Sequence, residues 1–359
     1  MNEIKFPAEY SPHHATIAML PFRNDIWRNN AHNMQNYMLN LVKTVSAFEL
    51  VYLVYDERCN ISERELQFDN VIPIKMKYDD IWARDISPTF VYIDGRLTCL
   101  NWKFNAWGGK NEGAYYPWDD DNEFAINVAR YLNLPVINIP LTLEGGAIIS
   151  DGHGTVFTTR SVLLNRNRNP FKSKQYVETI LKNQLGAKNI IWLKQGLATD
   201  ETNGHIDNVL SVISDDEICI AWTDDKQNKN YKRVRCILEV LQNEYNGIIH
   251  KINLPASQYM TEEEAQGIVS NPNALPRNAG DLLPASYLNF YFVNGGVIVP
   301  VFNCSSDQDA LNQFEKIFPD KKIVPVYSRE PLLGGGGIHC LLHEIPDLED
   351  NSYEINNKS

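Results

Sequence analysis

The feature that most limits what this chain can fold into is a unit that recurs along it. Four segments read as β-hairpins from their turn chemistry and their β-branched and aromatic content. The first joins 84–92 to 97–102 through Asp94-Gly95, and the second joins 144–149 to 155–159 through Asp151-Gly152-His153-Gly154. The third joins 205–213 to 217–222 through Ser214-Asp215-Asp216, and the fourth joins 287–292 to 297–301 through Asn294-Gly295-Gly296. Apolar residues at helical spacing follow over 122–131, 174–185, 233–245 and 307–318, the last with Asp307 as its expected cap. Short apolar strands come next, as at 136–139, 190–193 and 323–326. Hairpin, helix and strand thus recur every ~60 residues, a period of mixed units that predicts a closed radial array. A fifth hairpin would pair 338–342 with 15–20, so that the two ends of the chain meet.

The length of 359 residues permits one large domain or two ordinary ones. No Pro- or Gly-rich linker interrupts the chain before a polar tail from Leu348, so a single domain over 1–359 is expected. Lysine and arginine number 33 against 45 acids, a net charge of −12 that disfavours a nucleic-acid surface and suits a cationic ligand at an acidic mouth. Six cysteines are scattered without a C-x-x-C pair, which signals neither a zinc knuckle nor a redox dithiol. No apolar run approaches the ~18 residues of a membrane span, and the start lacks the core of a signal peptide. The expectation is a cytoplasmic protein with reduced thiols and no membrane partner.

In a radial array the starts of the inner strands converge on one axis. The residues there are Asp85, Glu144, His205 with Asp207, and Cys340. Each has an ordinary reading. Asp85 could pair with Arg84, Glu144 could be a solvated loop acid, and Cys340 could be a small core hydrophobe. On a strand His205 and Asp207 would face the same way, which could make half of a metal site. Asp200 and Glu201 could form a solvated turn or the acidic wall of a cation pocket. Four consecutive glycines, Gly334 to Gly337, allow positive φ and leave no side chains in a ligand's way before 338–342, which reads as a buried strand. Five polar residues at equivalent points of repeated units point to one shared site.

These residues also carry a resemblance. Trp82-x-Arg84-Asp85, Trp102-Lys103-Phe104-Asn105-Ala106-Trp107-Gly108-Gly109 and Leu143-Glu144-Gly145-Gly146 resemble the agmatine deiminase family. Asp200-Glu201-Thr202-Asn203-Gly204-His205-Ile206-Asp207-Asn208, Ala221-Trp222-Thr223-Asp224-Asp225 and the glycine run with Ile338-His339-Cys340 do so as well. The likeness runs from about Pro7 to Pro346, within the guanidine-modifying superfamily that includes the bacterial peptidylarginine-deiminase-like proteins. It implies an α/β five-bladed propeller with pseudo-fivefold repeats, the pentein fold. It further implies hydrolysis of agmatine to N-carbamoylputrescine and ammonia without cofactor or metal. By this resemblance Cys340 is the nucleophile, His205 the general acid and base, Glu144 its orienting partner, and Asp85 and Asp207 the carboxylates that grip the guanidinium. Trp82, Glu201, Trp107, Gly335 and Gly336 would bind substrate, and Tyr115-Tyr116-Pro117-Trp118 suits the amine end. Self-association is suggested by the resemblance alone.

The chemistry explains the set. Two carboxylates can accept paired N–H bonds and fix the guanidinium plane, which exposes its carbon to a thiolate. One imidazole can protonate departing ammonia and then activate water, provided its pKa lies near the working pH. Two positions depart from the family pattern: Gly337 stands where an Asn is usual, and Leu341-Leu342-His343-Glu344 follows the cysteine where glutamines are common. Three other readings compete: a deiminase of free or peptidyl arginine, a zinc hydrolase built on His205, Asp207, His339 and Cys340, and a propeller that binds without catalysis.

Overall fold

The computed structural model describes residues 3–347, so the polar tail from Leu348 lies outside the described residues. Among these residues the strands form five small sheets. Thr89–Ile93, Arg96–Lys103 and Val136–Thr142 lie side by side in one, with Ile4–Lys5 added at its edge. The next three sheets are Ile148–Ser150 with Thr155–Thr159 and Asn189–Leu193, then Leu210–Val212 with Glu217–Trp222 and Ile248–Asn253, then Tyr291–Val293 with Gly296–Val301 and Lys322–Tyr327. The fifth orders Leu342–Pro346, His13–Met19, Leu50–Tyr55 and Val71–Lys75.

Each sheet repeats one topology: an antiparallel inner pair followed by a parallel outer strand. A parallel neighbour needs a crossover, and a helix supplies it in every unit. These helices are His32–Ser46, Asp119–Tyr131, Lys174–Leu185, Tyr231–Glu244 and Asp307–Ile317. Lys174–Leu185 shows how sequence sets such an element. Ser173 caps it by accepting from the Tyr176 N–H, Gly186 ends it at φ 66°, and Val177, Leu181 and Leu185 form the buried stripe. Truncating Leu181 to alanine would cost about 2–5 kcal/mol.

The fifth inner pair joins the chain ends. Leu342 pairs with Ala18 and Ile345 with Ala15, and the Asp347 N–H donates to the Pro12 carbonyl at 3.0 Å. The partner segment is the expected one, but the strand starts later. Ile338–Leu341 is a short helical turn, so Cys340 precedes the strand instead of lying on it.

The same correction applies at the other inner strands. Ala83–Ile86 is helical and its strand begins at Thr89; Gly145–Ala147 and Ile206–Asn208 are 3-10 turns before strands that begin at Ile148 and Leu210. In the fourth hairpin the strand begins only at Tyr291. Thr89 faces Leu100, Ile148 faces Thr158 and Leu210 faces Ile220, and the antiparallel ladder ends at those pairs. The partners themselves run on, to Lys103, Thr159 and Trp222, so it is the inner segment that leaves the ladder. Backbone groups upstream must then be satisfied locally, which a helical turn does. His205 and Asp207 therefore share a turn, not a strand face. Asp307 also differs from expectation: Ser306 occupies the cap position, and the Asp307 carboxylate accepts from Cys304 N and Phe302 N at 3.1 Å.

Candidate active site

The turns before the inner strands bring the chemically able side chains together, and Gly146 marks the meeting point. A methyl group added there would lie 2.7 Å from His205 Nδ1 and 2.9 Å from both Asp207 Oδ2 and Asp85 Oδ1. Only glycine leaves room for three such groups. The Gly146 N–H donates to Asp85 Oδ1 at 2.9 Å, and Trp107 Nε1 donates to Asp85 Oδ2 at 2.8 Å. Burial, with repulsion from Asp207 and Glu144, outweighs His205 and pushes Asp85 up to about 6.

Arg84 does not pair with Asp85. It turns away and donates to Glu344 at 2.6 and 3.1 Å and to Glu9 at 3.2 Å. Glu144 is fully buried and not a solvated acid. Burial alone would raise its pKa, but Arg168, bonded to it through Nε, and His205 hold it down at about 2. His205 sits between two acids, with Nε2 3.6 Å from Glu144 Oε2 and Nδ1 3.8 Å from Asp85 Oδ1. Burial opposes its charge, yet Asp85, Glu144 and Asp207 together raise it to about 9.

Cys340 Sγ lies 3.5 Å from Asp207 Oδ2, and the Asn289 Nδ2 amide donates to the sulfur at 3.4 Å. Burial and the charges of Asp207 and Asp85 push the thiol well up, against help from Asn289. A free site of this kind keeps the thiol protonated.

Cys340 and Asp85 open into a cleft whose walls include Trp82, Trp107, Tyr115, Glu201 and Arg277. Gly335 and Gly336 also line it, whereas Tyr116 and Trp118 pack on each other and do not. His205, Glu144 and Asp207 are not lining residues; they meet Asp85 and Cys340 from behind. The aromatic wall is fixed by hydrogen bonds: Asp80 accepts from Trp82 Nε1 at 2.7 Å and from Trp27 Nε1 at 2.9 Å. Trp107 meets the Trp82 ring edge-on at 6.1 Å.

The glycine run works differently from the sequence expectation. Only Gly335, at φ 100°, has a positive φ among the four. At Gly334, Gly336 and Gly337 an added Cβ would overlap Trp27, Trp82 and the Asn289 side chain respectively. These glycines make room for neighbouring side chains, and the Asn expected at 337 has no space here. Asp200 and Glu201 divide the two readings given to them. Asp200 accepts from His205 N at 2.9 Å and Thr202 N at 2.8 Å and so builds the turn, while Glu201 faces the cleft and is bonded by Arg277.

Asn289, Arg168 and Arg277 were missed from sequence. Asn289 had a signal, because it precedes the inner strand of the fourth unit just as the other site residues precede theirs. Arg168 and Arg277 lie in loops with no such register. Among the described residues no group of three or more His, Cys, Asp or Glu is arranged to hold a metal ion, and no helix is long and apolar enough to cross a membrane.

Residues 5–346 match the Porphyromonas-type peptidyl-arginine deiminase family. A Latilactobacillus sakei protein named "Putative agmatine deiminase" is 39% identical over 95% of this chain and 96% of its own. The solved agmatine deiminase of Enterococcus faecalis is 33% identical, covers 96% of each chain and superposes with a TM-score of 0.90. A C. jejuni agmatine deiminase structure, 26% identical over 96% of each chain, gives 0.82. A match across nearly the whole described chain, in sequence and in backbone, assigns this chain to the Porphyromonas-type peptidyl-arginine deiminase family.

Proposed function

We propose that this protein is a cytoplasmic agmatine deiminase whose 1–359 chain is one catalytic domain, with the five sheets as blades of a pseudo-fivefold α/β-propeller. The observation that carries the reading is the placement of Cys340 beside Asp207 and Asp85 at the base of a cleft walled by Trp82, Trp107 and Glu201. The named relatives and solved neighbours act in the same sense.

The guanidinium enters with its plane held by Asp85 and Asp207. Its positive charge offsets the two acids that keep the thiol protonated, so Cys340 gives up its proton to solvent and the sulfur attacks the guanidinium carbon. An S–C bond forms, a C–N bond breaks, and His205 gives its proton to the departing nitrogen, which leaves as ammonia. The remaining S-alkylthiouronium is attacked by water, whose proton His205 accepts. Breaking S–C then restores the thiol and releases N-carbamoylputrescine. Glu144, fixed by Arg168, favours the imidazolium before the first step. No cofactor or metal takes part.

The tail of agmatine carries an ammonium, which aromatic faces and one carboxylate suit. Arg277 is the one feature that favours the second reading, a substrate ending in a carboxylate such as arginine. Its charge is taken up by Glu201 and the Gly334 carbonyl, the latter at 2.9 Å, which leaves the amine reading ahead. Ammonia release from agmatine and arginine measured side by side decides between them, and faster turnover of arginine overturns the substrate assignment. Brief exposure to agmatine followed by intact-protein mass spectrometry should show an adduct on Cys340.

A further inference from the structure

A line of alternating charge runs from the sulfur to a second cavity. Asp207 Oδ2, 3.5 Å from Cys340 Sγ, accepts from His339 Nδ1 at 3.0 Å. His339 Nε2 donates to Glu9 Oε2 at 2.9 Å, the other Glu9 oxygen accepts from Arg84 Nη1, and Arg84 grips Glu344 with both terminal nitrogens. His339, Asp207 and Arg84 are all at most 4% exposed. We propose that His339 and Glu9 are positioning residues for the reaction, holding Asp207 as an oriented carboxylate for the guanidinium.

The hydrogen-bond inventory leads there directly. Both ring nitrogens of His339 face carboxylate oxygens, and a neutral imidazole has one N–H only. One contact would then set lone pair against lone pair, whereas the imidazolium satisfies both. The imidazolium in turn lets Asp207 stay ionised 1% exposed and crowded against Asp85 at Gly146. Without it, two buried acids facing each other would share a proton, as close carboxylates do. The charged and titratable groups around His339 are Asp207 from the Ile206–Asn208 turn, Glu9 from the amino-terminal segment, Arg84 from the Ala83–Ile86 turn, and Cys340 beside it. Burial and Arg84 oppose the imidazolium, yet Glu9 and Asp207 outweigh them and raise His339 to about 9. The effect on Asp207 has the matching sign: burial raises it, and the bond from His339 brings it below its ordinary value.

Glu9 cannot reach a substrate. It lines a separate cavity with Pro7, Arg84, His343 and Glu344, and no residue of that cavity lines the Cys340 cleft. Glu344, one of the departures from the family pattern, closes the line at its outer end. Glu9 therefore acts on the site only indirectly, through His339 and through Arg84, the two side chains that bond to it.

This inference rests on the reading that Asp207 holds a guanidinium. Its test is the pH profile of kcat/KM for agmatine with the wild type, His339→Gln and Glu9→Gln, each checked for folding by circular dichroism. In His339→Gln the acid limb should move up by about one unit and KM at pH 7 should rise about tenfold, with kcat affected less. Glu9→Gln should shift the limb in the same direction by a smaller amount, and it keeps the test valid if the core variant does not fold. Folded variants whose limbs superimpose on the wild type overturn the proposal, as does a fall in kcat with limb and KM unchanged. A wild type that turns over arginine and not agmatine corrects the substrate, and the same profiles are then read with arginine. Failure to hydrolyse any guanidine removes the site reading and this inference with it.

Discussion

Asn289 donates its side-chain N–H to the sulfur of Cys340 across 3.4 Å, and its Oδ1 accepts from the His339 backbone N–H at 3.0 Å. One amide thus fixes the turn that carries Cys340, the proposed nucleophile, and offers a donor to its sulfur. Removing it as Asn289→Ala should lower kcat about 10- to 100-fold, the worth of a hydrogen bond to a charged group. The pH dependence of Cys340 alkylation by iodoacetamide should shift upward in parallel. An unchanged alkylation profile would deny the amide this role.

Glu144 and Arg168 are both buried, and breaking such a pair from one side leaves a charge stranded. Arg168→Met should cost about 3–5 kcal/mol of stability, measurable by urea unfolding. Activity should fall as well, because Glu144 then no longer holds its place beside His205. A loss below 1 kcal/mol would mean the pair is dispensable.

Activity should follow a bell-shaped pH profile. Asp85 is pushed up to about 6, so below that value one arm of the proposed guanidinium clamp takes up a proton. His205 is raised to about 9, so above that value the proposed acid for the departing ammonia is lost. The same raised histidine contributes stability that is complete below its ordinary 6.5 and disappears as pH rises through about 9. Thermal melts should accordingly show Tm declining from pH 7 to pH 10; a rising Tm over that span would contradict the sign.

Glu201 tests the tail of the substrate. Glu201→Gln should raise KM for agmatine about tenfold, since the side chain is partly exposed and its charge is screened. Butylguanidine, which lacks the amine, should be turned over equally by both forms. Equal losses on the two compounds would place the amine elsewhere.

Crowding at Gly146 offers the sharpest steric test. Gly146→Ala should remove nearly all activity, because its methyl would displace His205, Asp207 or Asp85. Retention of wild-type kcat/KM would show that these three side chains do not work from this geometry.

The repeat of hairpin, helix and strand was legible because alternation, turn residues and helical spacing act locally. Lys174–Leu185 was readable to its last residue, since Ser173 and Gly186 bracket a clean apolar stripe. Asp85, Glu144, His205, Asp207 and Cys340 could be picked out because each sits at the same point of its unit. The strand starts were misplaced for a physical reason: where a ladder ends depends on where two segments part in space, which neither segment encodes by itself. Close approach is another long-range property. Three of the four glycines before Cys340 exist for Trp27, Trp82 and Asn289, residues up to 307 positions away, as for Trp27 and Gly334. By itself, then, the sequence determined the periodic elements and the chemical types brought to the site. Only the tertiary structure decided that Arg84 turns to Glu344, that Arg168 holds Glu144 and that His339 ties Asp207 to Glu9, because ion pairing in a buried interior is chosen by geometry and desolvation, to which spacing along the chain is blind.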